Sequence, residues 1–163
     1  MALLREAQKA AMSAYAPYSG FVVGAAVETA DGKVYRGCNM ENASYGLTIC
    51  AEVGALQSAL EHGRFDKVRR IAVVGGAADF DPTAAVEPVT PCGRCRQLIF
   101  EASECSNVDV EVWCADLDLT TFANDSISRL LPGVFAPKSL KSSRDSHAMR
   151  AVLKKRFTRP RPR

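Results

Sequence analysis

The stretch Phe21-Val-Val-Gly-Ala-Ala-Val-Glu-Thr-Ala30, Asp31-Gly32, Lys33-Val-Tyr-Arg-Gly-Cys38 decides the class of fold. Two runs rich in Val and small residues flank an Asp-Gly pair, the dipeptide that turns one strand back on the next. The pattern predicts a strand over 21–30, a hairpin turn and a strand over 33–38. Ahead of it, Leu3, Leu4, Ala7, Ala10, Ala11 and Ala14 recur at helical spacing. They predict a helix over 2–14 that Pro17 and Gly20 end. Beyond the hairpin, 39–46 is small and polar and reads as a loop. A second helix is expected over 49–62, with Thr48 as N-cap and Gly63 at its end.

Residues 68–75 (Val-Arg-Arg-Ile-Ala-Val-Val-Gly) read as a buried strand, and 76–90 as an uneven loop longer than a compact domain usually needs. Thr90-Pro91 starts a third helix, with Thr90 as N-cap and Pro91 at N1, running to about residue 101. A strand over 108–114, a shorter one over 117–121 and a short helix near 126–131 complete the body. Helices alternating with strands predict a layered α/β domain, and the hairpin makes its sheet of about five strands mixed rather than purely parallel.

The chain has 163 residues, 47% hydrophobic and 24% charged, which fits one soluble domain and excludes wholesale disorder. No apolar stretch approaches the ~20 residues of a membrane helix. The N-terminus lacks the basic-then-apolar order of a signal peptide, so a cytoplasmic, intracellular location is expected. Residues 138–163 hold ten Lys or Arg against one acid, Asp145, whereas 1–137 hold eleven bases against seventeen acids. The expected organisation is a domain over 1–137 and a basic, flexible tail over 138–163.

Six cysteines in such a compartment point to metal or packing roles rather than disulfides. Cys50-Ala51-Glu52 and Pro91-Cys92-Gly93-Arg94-Cys95 each fall at the start of a predicted helix. Helix N-termini offer free N–H groups and partial positive charge, which favour thiolates. Three thiolates leave one position of tetrahedral zinc open, as working sites do. A structural zinc would need a fourth ligand. Cys38, Cys105 and Cys114 lie in or beside predicted strands or a helix end, His62 ends a helix and His147 sits in the tail. Glu52, two residues from Cys50, does not share its helical face, which suits a carboxylate beside the metal rather than on it.

Five ordered motifs carry a resemblance: Tyr15-Ala-Pro-Tyr-Ser-Gly-Phe-Val-Val-Gly-Ala-Ala26, Gly37-Cys-Asn-Met-Glu-Asn-Ala-Ser-Tyr-Gly46, Cys50-Ala-Glu52, Pro91-Cys-Gly-Arg-Cys-Arg-Gln97 and Leu130-Leu-Pro-Gly-Val-Phe135. The chain resembles the small, homotetrameric, three-cysteine class of cytidine deaminases. The resemblance implies a three-layer cytidine-deaminase-like fold and one zinc per subunit on Cys50, Cys92 and Cys95. Glu52 would be the catalytic proton shuttle. Asn39 and Glu41 match residues that hold ribose hydroxyls, and Phe21 an aromatic packed on the pyrimidine. Ala43 and Tyr45 match positions reaching a neighbouring subunit's site, and Phe135 an aromatic closing a site from another subunit; Ala51 completes the substrate-binding set. The expected reaction is hydrolysis of cytidine or deoxycytidine to the uridine product and ammonia in pyrimidine salvage, by a homotetramer.

One departure stands out. Many members of that class carry Arg after the catalytic Glu, where it helps neutralise the thiolates, and this chain has Val53. Other readings stay open at this level. These are a deaminase of another amino-pyrimidine, an enzyme holding nucleic acid through its basic tail, and a zinc-stabilised nucleoside-binding module without turnover.

Overall fold

The Asp31-Gly32 turn forms as the sequence predicts: Gly32 takes φ 74° and joins β1 (Phe21–Thr29) to β2 (Val34–Cys38). The protein is seen here as a computed structural model that describes residues 1–79 and 87–140. The expected basic tail falls outside these residues from 141 onward, as does 80–86 of the predicted loop.

The remaining elements are α1 (Ala2–Ala11), α2 (Ala51–Glu61), β3 (Val68–Ala77), α3 (Gly93–Ser106), β4 (Glu111–Asp116), β5 (Phe122–Ser126) and α4 (Ile127–Leu130). The five strands form one sheet in the order β2-β1-β3-β4-β5. β1 pairs antiparallel with β2 and β3, β3 pairs parallel with β4, and β4 pairs antiparallel with β5. The sheet is mixed, as expected. A parallel β3–β4 step needs a crossover, and α3 provides it.

Both faces of the central strands are covered, which is why β1 and β3 read as near-continuous apolar runs. Leu3, Leu4 and Ala7 of α1 pack on Ala26, Ala72, Val74 and Ala115. On the opposite face, Ala51, Ala55, Leu56 and Ala59 of α2 and Ile99 and Ala102 of α3 pack on Ala25, Val27, Ile71, Val73 and Val112. This is the three-layer arrangement. Two glycines set how closely the layers meet. A Cβ at Gly24 would run into the backbone of Ala7 and Ala11, and one at Gly37 into the backbone of Ala51 and Ala55. Gly37 thereby holds the first turn of α2 directly against β2.

The structure corrects several boundaries. The first helix stops at Ala11 rather than Ala14, with Met12 as its C-cap. Thr48 does not cap α2. It closes a 3₁₀ turn at Tyr45–Leu47, and Ile49 exchanges backbone hydrogen bonds with Met40, so helical bonding begins only at the Cys50 carbonyl. Likewise the third helix begins after Cys92, whose carbonyl accepts the Arg96 N–H, and runs on to Ser106. Thr90 and Pro91 precede it.

The expected strand over 117–121 is a turn, and the strand comes later, as β5. Asp116, buried at the end of β4, accepts hydrogen bonds from the Asp118 and Thr121 N–H groups and the Thr120 and Thr121 hydroxyls. That carboxylate offers the intervening backbone a closed turn in place of a ladder.

Candidate active site

The N-termini of α2 and α3 meet, and both end on a cysteine. Cys50 is the N-cap of α2 and Cys92 the N-cap of α3, each with extended backbone, and Cys95 lies in the first turn of α3. The three sulfurs lie within 4.8 Å of one another. Among the described residues no other trio of Cys, His, Asp or Glu donors comes together in this way. Cys38 instead donates its thiol to the Ser13 carbonyl, Cys114 is buried in the core, and Cys105 is half-buried beside acidic residues. His62 bonds the Ser58 carbonyl through Nδ1 and lies against Tyr35.

The electrostatics of the trio ask for a cation. Burial pushes the Cys50 thiol up, with Glu52 adding to the effect, and pushes Cys95 up strongly for the same reasons. Burial also opposes ionisation of Cys92, but hydrogen bonding from the Cys95 backbone N–H and from the other two thiols outweighs it and lowers that one group. Without a cation the cluster favours ionisation at Cys92 over Cys50 and Cys95. Three thiolates beside a carboxylate need a divalent cation to balance them. A soft, tetrahedral metal such as zinc fits this donor set. Arg96 directs its guanidinium to the Pro91 and Leu130 carbonyls. Position 53 supplies only a half-buried Val.

Glu52 sits in the first turn of α2 and is 4% exposed. Burial raises its pKa above the ordinary 4.5, against its own backbone N–H and the Cys95 thiol, which pull it down. A carboxyl tuned upward exchanges protons more readily near neutrality than a solvated one.

The residues expected to hold a nucleoside converge on the start of β1. Asn39 is buried and clamps that strand: its Nδ2 donates to the Phe21 carbonyl (2.9 Å) and its Oδ1 accepts the Val23 N–H (2.8 Å). Glu41 accepts the Tyr18 N–H (2.9 Å), the Ser19 N–H (3.2 Å) and the Ser19 hydroxyl (2.5 Å). These bonds, the Ser19 hydroxyl foremost, lower its pKa. The same hydroxyl accepts the Phe21 N–H, so Ser19 joins the carboxylate to the aromatic. Tyr18, Ser19, Glu41, Tyr45 and Thr48 line an open cavity of about 390 Å³.

Phe21 is 39% exposed and Tyr45 76%, its ring edge-on to Tyr18 at 6.2 Å. Ala51 is buried beside the cysteines in the first turn of α2, and Ala43 is exposed in the loop before Tyr45. Phe135 is 60% exposed, in the segment after α4. Sequence reading passed over Ser19 and Gln97. Gln97 donates from Nε2 to the Phe135 carbonyl (2.8 Å). Their signal was present, since both stand inside quoted motifs, but backbone partners leave no trace in spacing.

Residues 1–111 match the family model described as the cytidine and deoxycytidylate deaminase zinc-binding region. The chain belongs to this family. A cytidine deaminase of Halalkalibacterium halodurans is 44% identical over 85% of this chain and 95% of the relative, and one from Sporosarcina psychrophila is 38% identical over 85% and 92%. The crystal structure of cytidine deaminase from Burkholderia pseudomallei is similar, with TM-score 0.70 and 44% identity over 82% of this chain and 97% of that one. The cytidine deaminase of Mycobacterium tuberculosis also shares the fold, at TM-score 0.62 and 35% identity over 82% and 94%. The five-stranded mixed sheet with helices on both faces is therefore the deaminase fold expected from the motifs. No helix among the described residues is long and apolar enough to cross a membrane.

Proposed function

We propose that this protein is a zinc-dependent cytidine deaminase that converts cytidine, deoxycytidine or both to the corresponding uridine nucleosides and ammonia. The observation that carries the reading is the meeting of Cys50, Cys92 and Cys95 at two helix N-termini beside buried Glu52. One zinc per subunit would be held by those three sulfurs. When bound, the metal supplies acidification of the attacking water toward a pKa of ~7.

Glu52 does the proton work. It takes a proton from water and passes it to ring N3, which makes C4 electrophilic toward the resulting hydroxide. It then takes the proton of the C4 hydroxyl so formed and passes it to the amino group, which leaves as ammonia as the C4 carbonyl forms. The raised pKa of Glu52 suits a group that must act as base and then as acid. Ala51 and Phe21 bound the base, while Asn39 and Glu41 take the ribose side. The free carboxylate capacity of Glu41 next to an open cavity supports that assignment.

Ala43, Tyr45 and Phe135 complete sites across subunit boundaries in a homotetramer. The exposure of Tyr45 and Phe135 leaves both aromatics free to reach a neighbouring subunit, which supports this. The catalytic unit is 1–137, and the basic tail over 138–163 stands outside it. The setting is cytoplasmic pyrimidine salvage.

The test is ammonia release and ultraviolet loss from cytidine and deoxycytidine with zinc-loaded protein. Turnover of either supports the assignment. Zinc bound with no turnover of either overturns it. Glu52→Gln is expected to retain zinc and lose turnover by about 10²–10⁴-fold, the range of a lost general acid–base group. Substantial turnover in that variant would remove Glu52 from the mechanism.

A further inference from the structure

The first two turns of α3 hold a second set of contacts besides the metal ligands. Arg96 donates from Nε to the Pro91 carbonyl (2.8 Å), the residue before Cys92, and from Nη1 to the Leu130 carbonyl (3.0 Å) at the end of α4. One residue on, Gln97 donates to the Phe135 carbonyl (2.8 Å). Two adjacent side chains on the metal-binding helix thus grip both ends of the segment 130–135. Between the grips, Leu130, Leu131 and Val134 pack against the main core, and beyond them Ala136 is buried. The Phe135 side chain is left 60% exposed on a backbone that is fixed.

We propose that Arg96 and Gln97 are positioning residues for the deaminase reaction, clamping the Phe135 segment to the cysteine-bearing helix of its own subunit so that the aromatic is presented at a fixed position to the neighbouring subunit's site that it closes. This rests on the reading that Phe135 closes a nucleoside site. Two features separate the clamp from simple packing. Arg96 spends its planar fork on one carbonyl from the metal loop and one from the segment, a geometry that Lys cannot reproduce. Gln97 donates to the carbonyl of Phe135 itself, with no other hydrogen bond of its side chain seen among the described residues. Arg96 couples the two loops, and Gln97 fixes the position of Phe135.

The experiment uses the zinc-loaded full chain as wild type, Gln97→Ala, Gln97→Glu, Arg96→Lys and Phe135→Ala. Gln97→Glu keeps size and shape but has no donor once ionised, so it serves where Gln97→Ala does not fold. The readouts are zinc per chain and its rate of loss to a chelator, kcat and KM for cytidine, and chymotryptic cleavage of the Phe135–Ala136 bond. The carbonyl of that bond is the one Gln97 holds.

Both Gln97 variants are expected to be cut about tenfold faster, as loss of one hydrogen bond guarding a local opening allows. Their KM should rise several-fold, approaching that of Phe135→Ala, with kcat within about twofold and zinc at the wild-type level. Arg96→Lys should also raise KM and should lose zinc faster to a chelator. A wild-type KM in the Gln97 variants with a raised one in Phe135→Ala overturns the clamp and leaves the site reading intact. Faster cleavage with unmoved KM would make Gln97 a structural anchor only, and also overturns it. A wild-type KM in Phe135→Ala removes that residue from the site, and the clamp's function with it.

Discussion

Ser19 shows how much chemistry one hydroxyl organises. It donates to Glu41 and accepts from the Phe21 N–H, so the carboxylate and the aromatic on the two sides of the proposed nucleoside site share one fixed point. Its hydrogen bond is also the main reason Glu41 titrates below its ordinary 4.5. Ser19→Ala should raise KM for cytidine several-fold while kcat changes less. The pH dependence has a definite sign. Ionised Glu41 is the stronger acceptor for a ribose hydroxyl, and a lowered pKa keeps it ionised into more acidic solution. Without Ser19 the pKa returns upward, so the acidic rise in KM should begin at a higher pH than in the wild type. Coincident KM profiles for variant and wild type would sink the argument. The cysteines and Glu52 were legible in sequence because metal chemistry constrains residue type and spacing together. Ser19 and Gln97 were not, since each acts on groups brought near only by the fold.

At the scale of elements, the hairpin was readable because Asp-Gly leaves the chain one good way to turn. The helix starts were misplaced for a chemical reason. Thr48 and Thr90 are better caps than cysteine on propensity, yet the cap positions are taken by Cys50 and Cys92, which puts both sulfurs at the dipole ends. The strand expected over 117–121 failed because one buried carboxylate organises that turn. Burial opposes ionisation of Asp116, but the Thr121 and Asp118 N–H groups and the Thr120 and Thr121 hydroxyls outweigh it and hold the pKa below 3.8. Its stabilisation is therefore complete above the unfolded value and is lost as pH falls through the lower folded one. Asp116→Ala should cost about 3 kcal/mol at pH 7 in denaturant melts, the scale of lost bonds to a charged group. The deficit should shrink below pH 4; a constant gap would contradict the linkage. Gly37 is the other decisive point, where β2 and the first turn of α2 touch backbone to backbone. Gly37→Ala should push that turn outward, and zinc retention against a chelator should fall more than thermal stability does. Unchanged retention would mean that the close approach does not set the site.

Taken as a whole molecule, one chain leaves its site open to solvent. Cys92 and the cavity walled by Tyr18, Glu41 and Tyr45 open to solvent, and Tyr15, Met40, Tyr45, Leu47 and Phe135 are each at least half exposed. A deaminase acting on a small polar base gains from excluding bulk water, since electrostatic stabilisation weakens in a high dielectric. The order β2-β1-β3-β4-β5 could not be read from local pattern, because strand order is a property of the packed chain. The same holds for whether Phe135 serves its own chain or another. A mixing experiment separates these cases. Glu52→Gln keeps Phe135 and Phe135→Ala keeps Glu52. If each site draws Glu52 from one subunit and Phe135 from another, a mixed oligomer contains sites with both residues intact. Unfolding and refolding the two variants together should then give more turnover, at a lower KM, than the sum of the two refolded separately. If both residues serve the same chain, no exchange of subunits can pair them, and the mixture should equal that sum at every ratio.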